Sequence, residues 1–248
     1  AASVPADRSN CTAGLQPRTH PTLHKSALGY ENTTPLPPYP AQNAAKNRML
    51  NGAPYQLRIA GTDDLIVQHD SVMLESCNTS FQLHYQVAPD EFRDLYNLTQ
   101  ASSAPLLADA ANSPLLLGNR LWHDTRDALF QHSVDVRSDV HKVRGGRPRV
   151  SFGEHWVEKG IIELHREDIA RFRILLATDI GEPSTAVVAR GEAPDLTALR
   201  LHNGTVYRWN RPCYGVADGI AHLRVENRIL PAGPSVIDEM ANAAFFFG

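Results

Sequence analysis

Strict alternation of apolar and polar positions marks two segments of the chain as strands with one buried and one polar face. The first is residues 222–230, where the apolar residues Leu223, Val225 and Ile229 share one face. Successive side chains of a strand point to opposite faces, so the intervening polar residues share one face. Those residues are His222, Arg224, Glu226 and Arg228. The polar face of an ordinary half-buried strand also often carries charges that contact water. Alternation alone therefore does not distinguish a ligand-binding face from a solvated one.

The second alternating segment is residues 79–87, whose polar face carries His84. A single histidine on such a face is commonly just solvated. If the two strands face one hollow, however, His84 and Glu226 bring an imidazole and a carboxylate together. Hard divalent ions that also hold phosphate oxygens use ligands of this kind. The sequence therefore predicts a polar cleft that is lined by two strands far apart in the chain.

Weaker patterns predict the remaining elements. Apolar periodicity and favourable first-turn residues predict helices, and short apolar runs with turn residues between them predict strands. The expected helices are 41–50, 89–102, 105–112, 121–132, a helix or mixed segment at 167–178, and a C-terminal helix from about residue 234. The expected further strands are 55–60 and 65–67, and 196–201 with 205–209 about an Asn203-Gly204 hairpin turn, followed by a loop at 215–219.

Composition indicates a soluble globular protein. The chain has 248 residues, of which 42% are hydrophobic, enough to bury a sizeable core in one domain. The net charge of −3 gives no electrostatic reason to expect nucleic acid as a partner, and no apolar run has membrane-spanning length. Three widely spaced cysteines, Cys11, Cys77 and Cys213, suit a reducing compartment, so we expect a cytoplasmic protein.

Several separated motifs together resemble one known family. They are residues 69–84, Asn112-Ser113-Pro114 with its neighbours, 122–126, 208–214, 222–234 and 238–245. In this order they resemble the central and C-terminal parts of glutamate–cysteine ligase-type carboxylate–amine ligases. The resemblance implies an α+β fold of the glutamine synthetase type, in which a curved, mainly antiparallel sheet has helices packed on one face.

The resemblance also implies an activity. Members of the family use ATP and Mg²⁺ to phosphorylate a carboxylate, usually the γ-carboxylate of glutamate, and an amine then attacks the acyl phosphate to form an amide. Cysteine is the best-known amine, which places such enzymes in glutathione biosynthesis. We therefore expect a ligase whose partners are glutamate and a small amine such as cysteine. The sequence carries no signal for the oligomeric state.

Site residues follow from the same resemblance. Glu226 resembles the family's metal-ligating glutamate, and Arg228 resembles the arginine that contacts the transferred phosphate, so both are expected to be catalytic. His84 resembles the histidine that shares the metal with Glu226. The residues expected to bind substrate or nucleotide are Arg126, Arg211 and Asn210.

The expected domain organisation is a single partial catalytic domain over residues 1–248. Residues 1–54 form an extended, Pro-rich segment in this prediction, and residues 55–248 form the sheet and helices. In the resembled family a first catalytic strand with metal-binding glutamates lies upstream, so we expect the domain to be incomplete at its N-terminus. The basic, Gly-containing segment 137–149 suits either a phosphate-covering loop or a solvated one.

Two other hypotheses stay open at the sequence level. The chain could be a non-catalytic relative that keeps the fold and binds a nucleotide or an amino acid. It could also be an unrelated antiparallel sheet protein, in which case His84, Glu226 and Arg228 would not converge in space.

Overall fold

The structure is a computed structural model that describes residues 23–32, 40, 43–44, 46–47, 52, 54–135, 137, 139–179 and 181–248. The Pro-rich run 34–40 and residues 1–22 therefore lie almost wholly outside the described residues. Within the predicted helix 41–50, the four described positions have helical backbone.

In the described part of the chain, short strands form four small sheets. In chain order they are β1 (Tyr55–Ala60), β2 (Asp64–His69), β3 (Leu83–Val87), β4 (Leu115–Leu116), β5 (Asn119–Arg120), β6 (Val150–Ser151), β7 (Tyr207–Arg208), β8 (Asn210–Ala217) and β9 (Ile220–Asn227). The sheets are β1-β2, β4-β5 and β3-β9-β8, which are antiparallel, and β6-β7, which is parallel.

Helices lie between the strands and after the last one. They are α1 (Phe92–Ala110), α2 (Thr125–Ser133), α3 (Asp139–Val143), α4 (Ile161–Arg171), α5 (Ser184–Ala189), α6 (Thr197–Gly204) and α7 (Val236–Phe247), with 3-10 turns at Lys25–Leu28, Tyr30–Asn32 and Val72–Cys77. No helix in the described ranges is long and apolar enough to cross a bilayer.

The chain divides into two compact units. The first comprises residues 1–81, 105–148 and 229–248, and the second comprises 82–104 and 149–228. In the first unit the β1-β2 hairpin alternates exposed and buried residues, and its inner side chains pack with α2 and the Val72–Cys77 turn. Its fully buried residues include Leu57, Leu74 and Leu129.

The second unit contains the sheet that carries the candidate site. β9 is the central strand, with β3 on one side and β8 on the other. One face of this sheet packs on a core that includes Val87, Phe92, Tyr96, Leu164 and Val225. The apolar half of the alternating pattern therefore lies where the sequence predicts it, and the polar half occupies the opposite face.

The helix predictions were partly correct. The two helices expected at 89–102 and 105–112 are one helix, α1, with Pro105 inside it. Buried side chains on both sides of the proline, Tyr96 and Leu106, favour continuation over a break. The helix predicted at 121–132 begins only at Thr125, whose hydroxyl bonds to Trp122. The mixed segment at 167–178 is the end of α4 followed by irregular chain.

One strand prediction and one loop prediction in the C-terminal part were wrong. Residues 196–201 belong mostly to helix α6, and Asn203-Gly204 is its last turn, where the Asn203 amide donates to the carbonyl of Pro212 at 2.8 Å. The loop expected at 215–219 is the end of strand β8 and the turn into β9. Strand β8 was not predicted because it contains Pro212 and Gly215, which are unfavourable inside a strand. An edge strand such as β8 tolerates both residue types.

The observed mixture of helices and mainly antiparallel strands is that of an α+β protein. The glutamine synthetase-type arrangement and the single domain over 1–248 stay predictions.

Candidate functional site

The register of the three-stranded sheet sets three polar residues side by side. His84 of β3 lies opposite Glu226 of β9, and Glu226 lies opposite Arg211 of β8. All three side chains project from the face that is turned away from the core. The convergence expected from the two alternating strands is therefore present.

Glu226 is the centre of this cluster and is only 4% exposed. Its Oε2 lies 3.3 Å from Nη1 of Arg211, and its Oε1 lies 3.4 Å from Nε of Arg228 and 3.8 Å from Nε2 of His84. A buried carboxylate is tolerated when cations and hydrogen bonds compensate its desolvation. The cluster therefore holds one buried carboxylate in place between two guanidiniums.

Cys213 completes the surroundings of Glu226. Its Sγ donates to Oε2 of Glu226 at 3.6 Å from the adjacent strand. Burial, followed by the nearby negative charge of Glu226, raises the pKa of the Cys213 thiol to about 11. The thiol is therefore neutral at physiological pH and serves as a donor to the carboxylate.

Arg228 lies just after the end of β9, which the sequence analysis had extended to residue 230. Its backbone N–H donates to the carbonyl of Trp209 at 2.8 Å, and its guanidinium carbon lies 6.0 Å from the centre of the Tyr207 ring. These contacts fix a long side chain on the Glu226 side of the sheet. Arg228 thus meets Glu226 as the alternation predicted, although the strand itself has ended.

A second row of polar residues lies beside the first on the same face. Arg224 of β9 is opposite Gln86 of β3 and Cys213 of β8, and His222 is opposite Gly215. Sequence reasoning noticed Arg224 and His222 on the face but gave them no role, and it missed Cys213 and Gly215. The signal that could have found these two is the two-residue period through Arg211, Cys213 and Gly215.

Asn210, expected to bind substrate or nucleotide, points to the opposite face of the sheet. Its side-chain NH₂ donates to Gln100 and, at 3.1 Å, to Ser103, and its side-chain oxygen accepts from Asn227 at 2.8 Å. Asn210 is fully buried. The structure therefore places it in the packing beneath the sheet, and does not bring it to the charged face.

Arg126, the other residue expected to bind substrate, belongs to the first unit. It lies in the first turn of α2, is 2% exposed, and donates from Nη1 to the carbonyl of Ile229 at 3.3 Å. Its guanidinium carbon lies 5.7 Å from the centre of the Phe130 ring. Burial lowers the pKa of Arg126 to about 10. Its role as a substrate ligand stays a prediction.

The described residues fit an oxyanion better than they fit a divalent cation. Three guanidiniums, those of Arg211, Arg224 and Arg228, share the face with the single carboxylate of Glu226. Within the described ranges, no group of three His, Cys, Asp or Glu side chains is placed to hold a metal ion. His84 and Glu226 are two of the ligands that Mg²⁺ would need, and they do not complete a site alone.

The comparison with protein families agrees with the motifs. A family model described as glutamate-cysteine ligase family 2 (GCS2) matches residues 13–244, almost the whole chain. The comparisons with curated proteins and with solved structures gave no match.

Proposed function

Since the chain belongs to glutamate-cysteine ligase family 2, we propose that it is the catalytic part of an ATP-dependent ligase that joins the γ-carboxylate of glutamate to an amine such as cysteine. The observation that carries the proposal is the alignment of His84, Glu226 and Arg211 across three strands, with Arg228 on the same carboxylate. A rigid sheet face that carries these charges suits the transfer of a phosphoryl group.

The reaction has two steps. A γ-carboxylate oxygen of glutamate attacks the terminal phosphorus of ATP, the bond to the bridging oxygen breaks, and ADP leaves with its electron pair. The amine nitrogen then attacks the acyl carbon, phosphate leaves, and the amine loses a proton as the amide forms. Catalysis of the first step consists mainly of positioning the reactants and neutralising charge.

The chain's own residues would supply both effects. A guanidinium binds phosphate through a planar fork, so Arg228 and Arg211 suit the oxygens of the transferred group. Glu226 holds the two guanidiniums at a fixed separation through its two oxygens. His84 and Glu226 would be the chain's contribution to the metal on which family members depend, and its remaining ligands would come from phosphate oxygens, water or other residues.

Turnover by the purified protein tests the proposal. We expect ADP release only when ATP, Mg²⁺, glutamate and an amine are all present. Glu226→Gln keeps the shape but removes the charge between the two guanidiniums, and we expect turnover to fall by about 100-fold or more.

Glu192→Gln is the matched control, because Glu192 is a solvent-exposed partner of Arg190 on the protein surface. It should leave turnover unchanged. Wild-type turnover by a folded Glu226→Gln variant would refute the proposed role of the charged face.

A second candidate is a non-catalytic relative that binds a nucleotide or an amino acid. The excess of guanidiniums over carboxylates favours it, together with the incomplete set of metal ligands among the described residues. Calorimetric titration with ATP and the assay of ADP release together separate the two candidates. This alternative predicts that ATP binds but that no ADP is released with any mixture of glutamate and an amine.

A further inference from the structure

Helix α7 directs its apolar side toward solvent. The apolar side chains that it exposes are those of Val236, Ile237, Met240, Ala241, Ala244 and Phe245. The four larger ones are 57–81% exposed. With 3.6 residues per turn, these positions form one continuous arc over about half of the helix surface, and no polar residue interrupts it. A surface helix normally packs such a stripe on the core, so this arc needs a partner surface.

The acidic residues of α7 lie outside the apolar arc and cap the start of the helix. Ser235 donates from its hydroxyl to the carboxylate of Asp238 at 2.5 Å and accepts from the backbone N–H of the same residue at 3.4 Å. Glu239 accepts from the backbone N–H of Gly233 at 3.1 Å. The arc itself therefore carries no charge, and two copies of it can meet without like-charge repulsion.

The area of the arc is sufficient for a specific contact. Each of its four large side chains exposes roughly 100 Å² of apolar surface, so with the two alanines the arc amounts to about 500 Å². Apolar patches near this size are among the largest on monomeric proteins and are often functional. Two arcs packed together would bury about 1,000 Å², the lower bound for a specific interface, and the residues around them would add to it.

The sizes of the side chains in the arc suit pairing with a reversed copy of the same helix. They form two parallel ridges with a spacing of four residues, and such ridges are the units of helix packing. In an antiparallel pair centred between Met240 and Ala241, Met240 of each copy would lie opposite Ala241 of the other. Ile237 would likewise lie opposite Ala244. Each large side chain would thus meet a small one, so the helices can approach closely.

We propose that α7 forms the interface of a symmetric homodimer, in which the apolar arcs of two copies of this chain pack antiparallel about a two-fold axis. A second copy is the favoured occupant because the arc has no charge to select a basic or acidic partner and because its side-chain sizes complement their own reversal. Interfaces between identical subunits are also the more apolar class. This inference goes beyond the proposed ligase function, since assembly needs neither ATP nor turnover.

Sedimentation velocity of the purified protein at about 1 to 50 µM tests the interface. We expect a dimer that dissociates on dilution. Ile237→Glu places a carboxylate within the arc, where dimerisation would bury it without a counter-charge, so the dissociation constant should rise by about 100-fold or more. Ile237 is 81% exposed, so this substitution removes no core contact and the variant should fold.

A second variant and a second measurement address the geometry of the pair. Ala244→Gln adds no charge but fills the space opposite Ile237, and it should weaken the dimer by about 10-fold. Hydrogen exchange followed by mass spectrometry should show slower exchange in residues 236–247 at 50 µM than at 1 µM for the wild type. The Ile237→Glu variant should exchange equally fast at both concentrations.

Ile162→Glu is the matched control, because Ile162 is 63% exposed on a different helix, α4. It should dimerise as the wild type does. A wild type that stays monomeric up to 50 µM would overturn the proposal and assign the arc to a different partner. Dimerisation of Ile237→Glu with wild-type affinity would overturn it as well, by placing the interface elsewhere. Neither result depends on whether Glu226→Gln abolishes turnover.

Discussion

Several ionisable side chains of this chain are buried, and the carboxylates of Asp168 and Glu226 are compensated by neighbouring guanidiniums. Arg208 is 3% exposed and Asp168 is 2% exposed, and they meet through Nε and Nη2 at 2.8–3.1 Å. Glu167 lies 3.1 Å from the same guanidinium. In the same unit, Glu226 is compensated by Arg211, Arg228 and Cys213. The buried charges are therefore sensitive to loss of a single partner.

Asp168→Asn should destabilise the protein by about 3 kcal/mol, because Arg208 would lose the carboxylate that matches its fork while remaining buried. Urea unfolding followed by circular dichroism measures the change. Asp195→Asn removes an exposed carboxylate and should have little effect. Similar unfolding midpoints for the two variants would show that the Arg208–Asp168 pair contributes no net stability.

His165 predicts a dependence of stability on pH. Burial, with the charges of Arg208 and His202 nearby, lowers the pKa of His165 to about 4, whereas an imidazole in the unfolded chain titrates near its ordinary pKa of about 6.5. Between these values the unfolded chain binds more protons at this residue. The free energy of unfolding should therefore fall as the pH drops from 6.5 to 4, by at most about 1.4 kcal/mol per pH unit.

Urea unfolding at several pH values between 4 and 7 measures this contribution. His165→Gln has no imidazole to titrate and should lose less stability than the wild type over that range. His123 is exposed, so His123→Gln should follow the wild type. Parallel pH profiles for the wild type and His165→Gln would contradict the prediction.

At the scale of elements, the sequence predicted best where one face of an element packs on a core. Alternation in residues 79–87 and 222–229 gave the strands and the shared polar face, because each strand packs one side against apolar side chains. Prediction failed where a local signal competed with packing. Asn203-Gly204 is a favourable hairpin dipeptide, but the burial of His202 and Asn203 made it the end of a helix.

Strand pairing could not be predicted from local signals either. The register that sets His84 opposite Glu226 joins segments separated by more than half of the chain. The positions of Arg126 in the first unit and of Asn210 beneath the sheet also depend on contacts that no local pattern encodes. The residue types of the site were therefore predictable from the sequence. Which arginines contact Glu226, as Arg228 does and Arg224 does not, could be seen only in the structure.

Helix α1 contains a residue that is unfavourable inside a helix, and replacing that residue gives a test. Pro105 lies inside it, is exposed, and cannot donate the hydrogen bond that a helix interior requires. Pro105→Ala should therefore raise the free energy of unfolding by about 1–3 kcal/mol, since no buried contact is lost. Pro89→Ala is the control, because Pro89 lies in the turn before the helix. A Pro105→Ala variant less stable than the wild type would show that the helix depends on its proline.

For the whole molecule, the net charge of −3 is opposite in sign to that of the charged sheet face. Binding of an anion there should consequently depend on the local guanidiniums and not on attraction by the molecule as a whole. Raising NaCl from about 50 to about 500 mM should weaken ADP binding severalfold, because the face is partly exposed to solvent and screened by salt.

Calorimetry of ADP at several salt concentrations measures this effect. Arg224→Met should show a smaller salt dependence than the wild type, since one cation fewer faces the ligand. An unchanged salt dependence in that variant would assign the attraction to other residues.

The position of β3 in its sheet also affects how the protein is made. Among the described strands, β3 pairs only with β9, which the ribosome synthesises more than a hundred residues later. Until β9 has been synthesised, the backbone hydrogen-bonding groups of β3 therefore lack their strand partner. Strand pairs between segments so far apart in the chain also form slowly. Nascent chains that stall before β9 would expose this strand to chaperones or to aggregation, whereas completed chains would bury it.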